Sequence, residues 1–226
     1  MTGDAVMIPI LYLDDTLAVC VKPVGVSSEN DGMPALLRAQ LGGEILPVHR
    51  LDTAVGGLMV YARSARAAAA LSEQIRARSF QKEYLAVAQG AVEPASGTWQ
   101  DLLFHDRGRN KSYVVKRRRA GVREASLDYH VLGTKEGLSL LRIRLHTGRT
   151  HQIRVQAASR AHPLVGDVKY GSTVRDCPIA LWSHALCFAL PSTGETRRFE
   201  ALPGVRAPWA LFSELIYGGL PCDTSK

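Results

Sequence analysis

The run Val48-His49-Arg50-Leu51-Asp52-Thr53-Ala54-Val55-Gly56-Gly57 sets one carboxylate between a His-Arg doublet and a Gly-Gly pair, with the strand-like run Leu58–Ala62 behind it. A carboxylate of ordinary pKa, about 3.9, is ionised at neutral pH and can act as nucleophile or base. An Asp in that place is also a common turn or cap residue, so Asp52 needs partners before it can be given chemistry. One candidate lies in Leu145-His146-Thr147-Gly148-Arg149-Thr150-His151-Gln152-Ile153-Arg154. Gly148 permits a tight turn, Thr150 is placed to cap a helix from His151 to Arg160, and Arg154 falls one turn later on the same face. A helix start flanked by arginines suits an anion; it equally suits an ordinary capped helix with a solvated basic face. The loop that follows, His162-Pro163 to Asp167-Val168-Lys169-Tyr170-Gly171, reads as structural, fixed by Pro, Gly and an Asp-mediated turn.

A third feature is electrostatic. Arg107, Arg109, Lys111, Lys116, Arg117, Arg118, Arg119 and Arg123 fall in one stretch with no acid among them, and Tyr113, Val114 and Val115 give part of it a strand character. Like charges at this density repel unless an anion neutralises them, which points to a nucleic-acid contact over a merely solvated loop. The whole chain of 226 residues carries a formal charge of +7, in keeping with a polyanionic partner.

These residues need a frame. Ile8–Leu13 and Thr16–Lys22 read as two strands joined at the Asp14-Asp15 turn, Val24–Ser28 as a loop, and Pro34–Gln40 as a short helix ending at Gly42-Gly43. Ser64 is placed to cap a helix reaching about Arg78, and Glu83–Ala88 reads as a strand. Strands with Gly-containing turns fill residues 99–139, Leu138–Leu145 alternates, and residues 186–201 read as a hairpin around Pro191–Gly194. A helix over Ala207–Tyr217 closes the chain. The pattern predicts an α+β fold with a mainly antiparallel sheet and one domain over residues 1–226.

Several classes are excluded. Cys20, Cys177, Cys187 and Cys222 form no zinc-ligand pattern and read as reduced packing residues, Cys222 exposed near the tail. His105, His130 and His184 are isolated. No secretory leader, membrane-length apolar run, Gly-rich phosphate loop, HExxH or GxSxG is present. A cytoplasmic monomer without metal is the expectation.

In order and separation, these segments resemble the RluA-type RNA pseudouridine synthases from about Ile10 to Leu202. Lys22-Pro23-Val24-Gly25 matches the family's early segment, and His49-Arg50-Leu51-Asp52 its signature, in which the Asp is essential. Lys82-Glu83-Tyr84 matches the segment supplying the active-site tyrosine. Gly148–Val155 matches the segment whose arginine, here Arg154, pairs with the catalytic Asp, and His162–Asp167 matches a family loop. The resemblance implies a mixed sheet with flanking helices and a central catalytic cleft, no cofactor or metal, and isomerisation of uridine in RNA, ribosomal ahead of transfer RNA. It implies catalysis by Asp52, Tyr84 and Arg154, with Arg50 filling the space the base vacates. Arg107, Arg109, Lys111, Lys116, Arg117, Arg118, Arg119, Arg149, His151 and Gln152 are expected to hold RNA. Two departures stand out: Val55-Gly56-Gly57 replaces the usual Thr-Ser-Gly, removing two hydroxyls, and no N-terminal RNA-binding domain is expected. A rival reading is a catalytically inactive RNA-binding protein of the same fold; a metal-free hydrolase would need a second acid or base that the sequence does not supply.

Overall fold

The computed structural model describes residues 7–29 and 31–219; Cys222 and the first six residues lie outside them. In chain order the elements are β1 (Ile10–Leu13), β2 (Leu17–Lys22), α1 (Met33–Leu41), β3 (Leu46–Pro47), β4 (Gly56–Ala62), α2 (Ala65–Arg76), β5 (Gln81–Gln89) and β6 (Ser96–Asp106). There follow β7 (Lys111–Val115), β8 (Val122–Lys135), β9 (Leu138–Leu145), α3 (Gln152–Ala158), β10 (Leu181–Ala189), β11 (Thr196–Glu200) and α4 (Ser213–Tyr217). Among the described residues the elements form two compact units, one of residues up to 83 with 182–201 and the other of residues 84–181 with those from 202 to 219. The architecture is α+β and mainly antiparallel, as the alternation of strands and sparse helices predicts.

In the first unit, β1, β2 and β4 pair antiparallel, and β10 lies parallel to β4 with Trp182 opposite Gly56 and Ser183 opposite Gly57. β11 closes the hairpin on β10. All seven residues of β4 are buried, which is why its sequence reads as a continuous apolar run instead of an alternation. The turn between β1 and β2 is made by Asp14, whose carboxylate accepts from Thr16 N, Thr16 Oγ1 and Leu17 N at 2.7–2.9 Å. Burial pushes this carboxyl up, but the Thr16 and Leu17 bonds outweigh it and bring the pKa down to about 2. Ser64 caps α2 as expected, its hydroxyl accepting from Ala67 N at 3.2 Å. Ala67 and Leu71 on one face of α2 then pack with Leu58, Val60, Phe80 and Phe188, the two phenyl rings stacked 4.8 Å apart. Cys20 is fully buried in β2, and burial pushes its thiol up to about 12, so it is a packing residue.

In the second unit β5, β9, β8, β6 and β7 follow one another, with β7 at the edge. The long β6–β8 ladder runs from Ser96 opposite His130 to Phe104 opposite Val122. Two expectations are corrected here. The helix predicted over His151–Arg160 is only Gln152–Ala158, and its N-cap is His151 in the left-handed region (φ 56°) with no side-chain cap, so Thr150 is not the cap. The closing helix over Ala207–Tyr217 is a 3-10 turn, Trp209–Phe212, followed by the five-residue α4; Trp209, Phe212 and Ile216 anchor it inward. No helix is long and apolar enough to cross a membrane among the described residues.

Candidate active site

Asp52 sits in a turn of the first unit, closed by Val55 N donating to its carbonyl at 2.9 Å. That turn is braced by the loop after β2. Lys22, the last residue of β2, is fully buried, and its ammonium donates to the carbonyls of Pro23 (2.9 Å), Val26 (2.7 Å) and Thr53 (3.3 Å). Gly25 N donates to Thr53 O at 2.8 Å, and Ser28 Oγ bonds both the carbonyl (2.9 Å) and the amide (3.3 Å) of Leu51. Ser28 is held in turn by the buried Tyr61 hydroxyl, which donates to its carbonyl at 2.9 Å. The backbone on both sides of Asp52 is therefore fixed by side chains from other elements. Burial lowers the Lys22 pKa to about 8, and the Asp52 carboxylate opposes that fall. At neutral pH a buried cation thus faces the half-buried carboxylate.

The doublet before Asp52 divides. Arg50 is exposed. His49 is not basic: its Nε2 accepts from Val60 N at 3.2 Å, its ring lies 5.6 Å from that of Phe80, and burial, with a smaller contribution from Lys82, lowers its pKa to about 3. It wedges the turn against β4 as a neutral imidazole. The Val55-Gly56-Gly57 departure also has a physical cause. A Cβ at Gly56 would lie 2.5 Å from Trp182 Cζ3 and 3.1 Å from Val24 Cγ2, so the indole occupies the space that a serine side chain would need. Trp182 is fixed there by Nε1 donating to Ala201 O at 2.9 Å. Gly57 has φ 114° and lies against the Ser183 backbone, which explains why the glycine at the third position of the triplet is kept. Just ahead of Tyr84, Glu83 forms a two-pronged ion pair with Arg198 at 2.8 and 2.9 Å, fixing the start of β5.

Tyr84 and Arg154 belong to the second unit, and both are buried. Arg154 does not lie on a solvated basic face. Its Nε and Nη2 donate to Asp167 Oδ2 and Oδ1 at 2.6 and 2.8 Å, and both side chains are almost wholly shielded from water. The sequence around Asp167 predicts only a turn; the structure gives it this second task, which spacing does not show because the two residues are joined by folding alone. The guanidinium also stands 5.1 Å above the centre of the Tyr170 ring. Gln152 and His151, expected at an RNA interface, turn inward. Gln152 Oε1 accepts from Thr147 Oγ1 and Arg149 N, and its Nε2 donates to Ser126 O. His151 Nδ1 lies 2.9 Å from the Tyr170 hydroxyl. Arg149 is exposed, steered by Nε donating to Glu124 O at 2.9 Å.

The basic run maps onto the β6–β7 hairpin and the β7–β8 loop. Acids flank it on both sides: Asp106 meets Arg109, and Glu124 pairs with Arg118. Arg119 stacks 4.7 Å from the Phe104 ring centre, and Lys111 stands over Tyr113 and Tyr170. The exposed side chains of Arg107, Lys116 and Arg117 make no bond with other described residues, so they are the arm's uncommitted cations. No three His, Cys, Asp or Glu side chains gather into a metal-binding group among the described residues.

Comparison with known proteins agrees with the motif order. A family model described as RNA pseudouridylate synthase matches residues 16–159, more than half of the chain. A Bacillus subtilis protein described as an uncharacterized RNA pseudouridine synthase is 35% identical over 176 residues, covering 72% of this chain and 57% of its own. The ribosomal large subunit pseudouridine synthase D of Xanthomonas campestris is 37% identical over 177 residues, covering 74% and 52% respectively. That named C in Yersinia pestis is 32% identical over 209 residues, covering 85% and 64%. The chain therefore spans less than two thirds of the length of these relatives. The solved structure of human RNA pseudouridylate synthase domain containing 4 shares the fold, with a TM-score of 0.75 over 91% of both chains at 23% identity. With its signature Asp52 held in a braced turn and its Gly148–Val155 segment built around a buried arginine, the chain belongs to the RNA pseudouridylate synthase family.

Proposed function

We propose that this protein isomerises a specific uridine in structured RNA to pseudouridine, ribosomal RNA ahead of transfer RNA, acting as a cytoplasmic monomer through side-chain chemistry alone. The observation that carries the reading is the Asp52 turn, braced by Lys22 and Ser28 and facing a buried cation. A braced, ionised carboxylate suits a nucleophile better than it suits a passive RNA contact, which argues against the inactive RNA-binding reading. The large-subunit names of the Xanthomonas and Yersinia relatives support the ordering of substrates.

In the reaction the base leaves ribose C1′ at N1, turns, and rejoins the same carbon through C5, after which the C5 proton is released. Asp52 serves either by attack on C1′ or by taking the C2′ proton; both routes require its ionised form. Tyr84 stacks on the base and assists loss of the C5 proton. Arg154 supplies charge to the carboxylate's chemistry, and Arg50 fills the space left by the extruded base, whose extrusion costs a few kcal/mol. Because the C5 proton leaves, wild-type protein added to in vitro transcribed large-subunit RNA carrying 5-tritiated uridine is expected to release tritium to water. Binding without release would replace this reading by the RNA-binding one.

RNA is held by the basic arm, with Arg107, Arg109, Lys111, Lys116, Arg117, Arg118, Arg119 and Arg149 along its backbone, while His151 and Gln152 shape the loop that presents Arg149. The arm's cations are unequal. Arg117→Ala, uncommitted within the protein, is expected to flatten the log–log salt dependence of RNA affinity by roughly 0.7–0.9 for each phosphate left without its cation. Arg118→Ala, whose charge is already shared with Glu124, is expected to change the slope less. Equal slopes for wild type and Arg117→Ala would remove Arg117 from the interface.

A further inference from the structure

We propose that Tyr170 is a positioning residue for Arg154 that ties it to the basic arm, so that RNA held by the arm sets the arginine for the reaction. This rests on the reading above that Arg154 serves uridine isomerisation. Tyr170 ends the 3-10 turn Val168–Tyr170, directly after Asp167, and its side chain is buried among Leu103, Ala125 and Val155. Its two ends do different things. The ring face lies 5.1 Å below the Arg154 guanidinium, whose Nε and Nη2 edge is taken by Asp167. The turn that carries Asp167 and Tyr170 thus holds the arginine by one edge and one face.

The hydroxyl reaches the arm. Ser112 lies on the edge strand β7, opposite His105 of β6, and its N–H donates to Tyr170 Oη at 2.7 Å. A phenol has one proton and two lone pairs, so Oη can accept from Ser112 and donate to His151 Nδ1, 2.9 Å away. The Ser112 hydroxyl donates to Thr150 O at 2.6 Å, and His105 Nδ1 lies 3.2 Å from it. A second tie runs along the surface, where Lys169 Nζ donates to Asn110 O at the tip of the hairpin, 2.9 Å away. Thus β7, flanked by the exposed cations Arg107, Lys116 and Arg117, is bonded to the turn holding Arg154 and to Thr150, just before the N-cap of α3. A shift of the arm on binding RNA reaches the arginine through these bonds, the kind of contiguous, differential contact that couples two sites.

Tyr170→Phe keeps the ring beneath Arg154 and removes the hydroxyl, and with it the bonds to Ser112 on the arm and to His151 at the start of α3. Single-turnover tritium release is measured on the large-subunit transcript and on a hairpin trimmed from it until the Arg117-dependent salt slope is lost. The wild type is expected to react faster on the long RNA than on the trimmed one. In Tyr170→Phe the long-RNA rate falls roughly five- to tenfold, the effect of one buried hydrogen bond, toward the trimmed-RNA rate, with RNA affinity within twofold. Lys169→Ala, an exposed change, tests the same tie if the tyrosine variant does not fold, and lowers the long-RNA rate alone by roughly two- to threefold. Equal proportional loss on both RNAs, or no loss, overturns the proposal while leaving isomerisation intact. No release by the wild type overturns the isomerase reading and this proposal with it.

Discussion

Asp52→Asn is expected to lower pseudouridine formation by roughly 10³-fold or more while leaving RNA affinity within twofold. The amide has the size of the carboxylate, and the turn that carries it is held by bonds the substitution does not touch: Lys22 to the Thr53 carbonyl, Ser28 to Leu51, and Val55 N to the backbone carbonyl of residue 52. What is lost is the charge, and with it the ability to attack C1′ or take the C2′ proton. The effect on Lys22 provides an independent check. The Asp52 carboxylate holds the lysine's pKa up against burial, so in the asparagine variant Lys22 titrates below its wild-type value of about 8. Single-turnover kinetics and filter binding on the same transcript measure the two halves of the prediction. An active asparagine variant would remove Asp52 from the chemistry.

Asp167→Ala is expected to destabilise the fold by about 3–5 kcal/mol, since it takes from a buried guanidinium the carboxylate that bonds both its Nε and its Nη2. For a chain of this size that corresponds to a fall of roughly 10 °C in Tm. A double substitution separates charge from packing. Asp167→Leu with Arg154→Met removes both ions and is expected to recover most of the lost stability, yet it leaves no isomerisation, because the arginine itself is gone. Calorimetry on the single and double variants, beside tritium release, gives both readouts. A single alanine variant that melts with the wild type would show that the Arg154–Asp167 pair does not hold this part of the fold together.

The elements that rest on local chemistry are legible in the chain itself. The Asp14 turn, the Ser64 cap and the hairpin before Glu200 each depend on residues within a few positions of one another, so spacing alone predicts them. The features that are not legible there depend on long-range packing. His49 reads as half of a basic doublet, but its neighbours Phe80 and Val60 make it a neutral wedge. Arg154 reads equally as an anion-holding or a solvated cation at a helix start, and nothing near it in the chain shows that Asp167 and Tyr170 close over it. Gly56 reads as an unexplained loss of a hydroxyl until Trp182, 126 residues away in the chain, is seen filling the space. The basic run reads as uniform because the acids that answer it, Asp106 and Glu124, stand just outside its ends. His151 is not foreseeable as the start of α3, because a left-handed non-glycine residue is set by what holds it, here the Tyr170 hydroxyl and the loop around Thr150.

The measurement closest to the central claim is a pseudouridine map of all cellular RNA from cells with and without this protein, with add-back of wild type or Asp52→Asn. Loss of signal at one or a few uridines, restored by the wild type and not by the asparagine variant, is the predicted result. Identical maps in all four conditions would contradict the claim that this chain isomerises uridine in RNA.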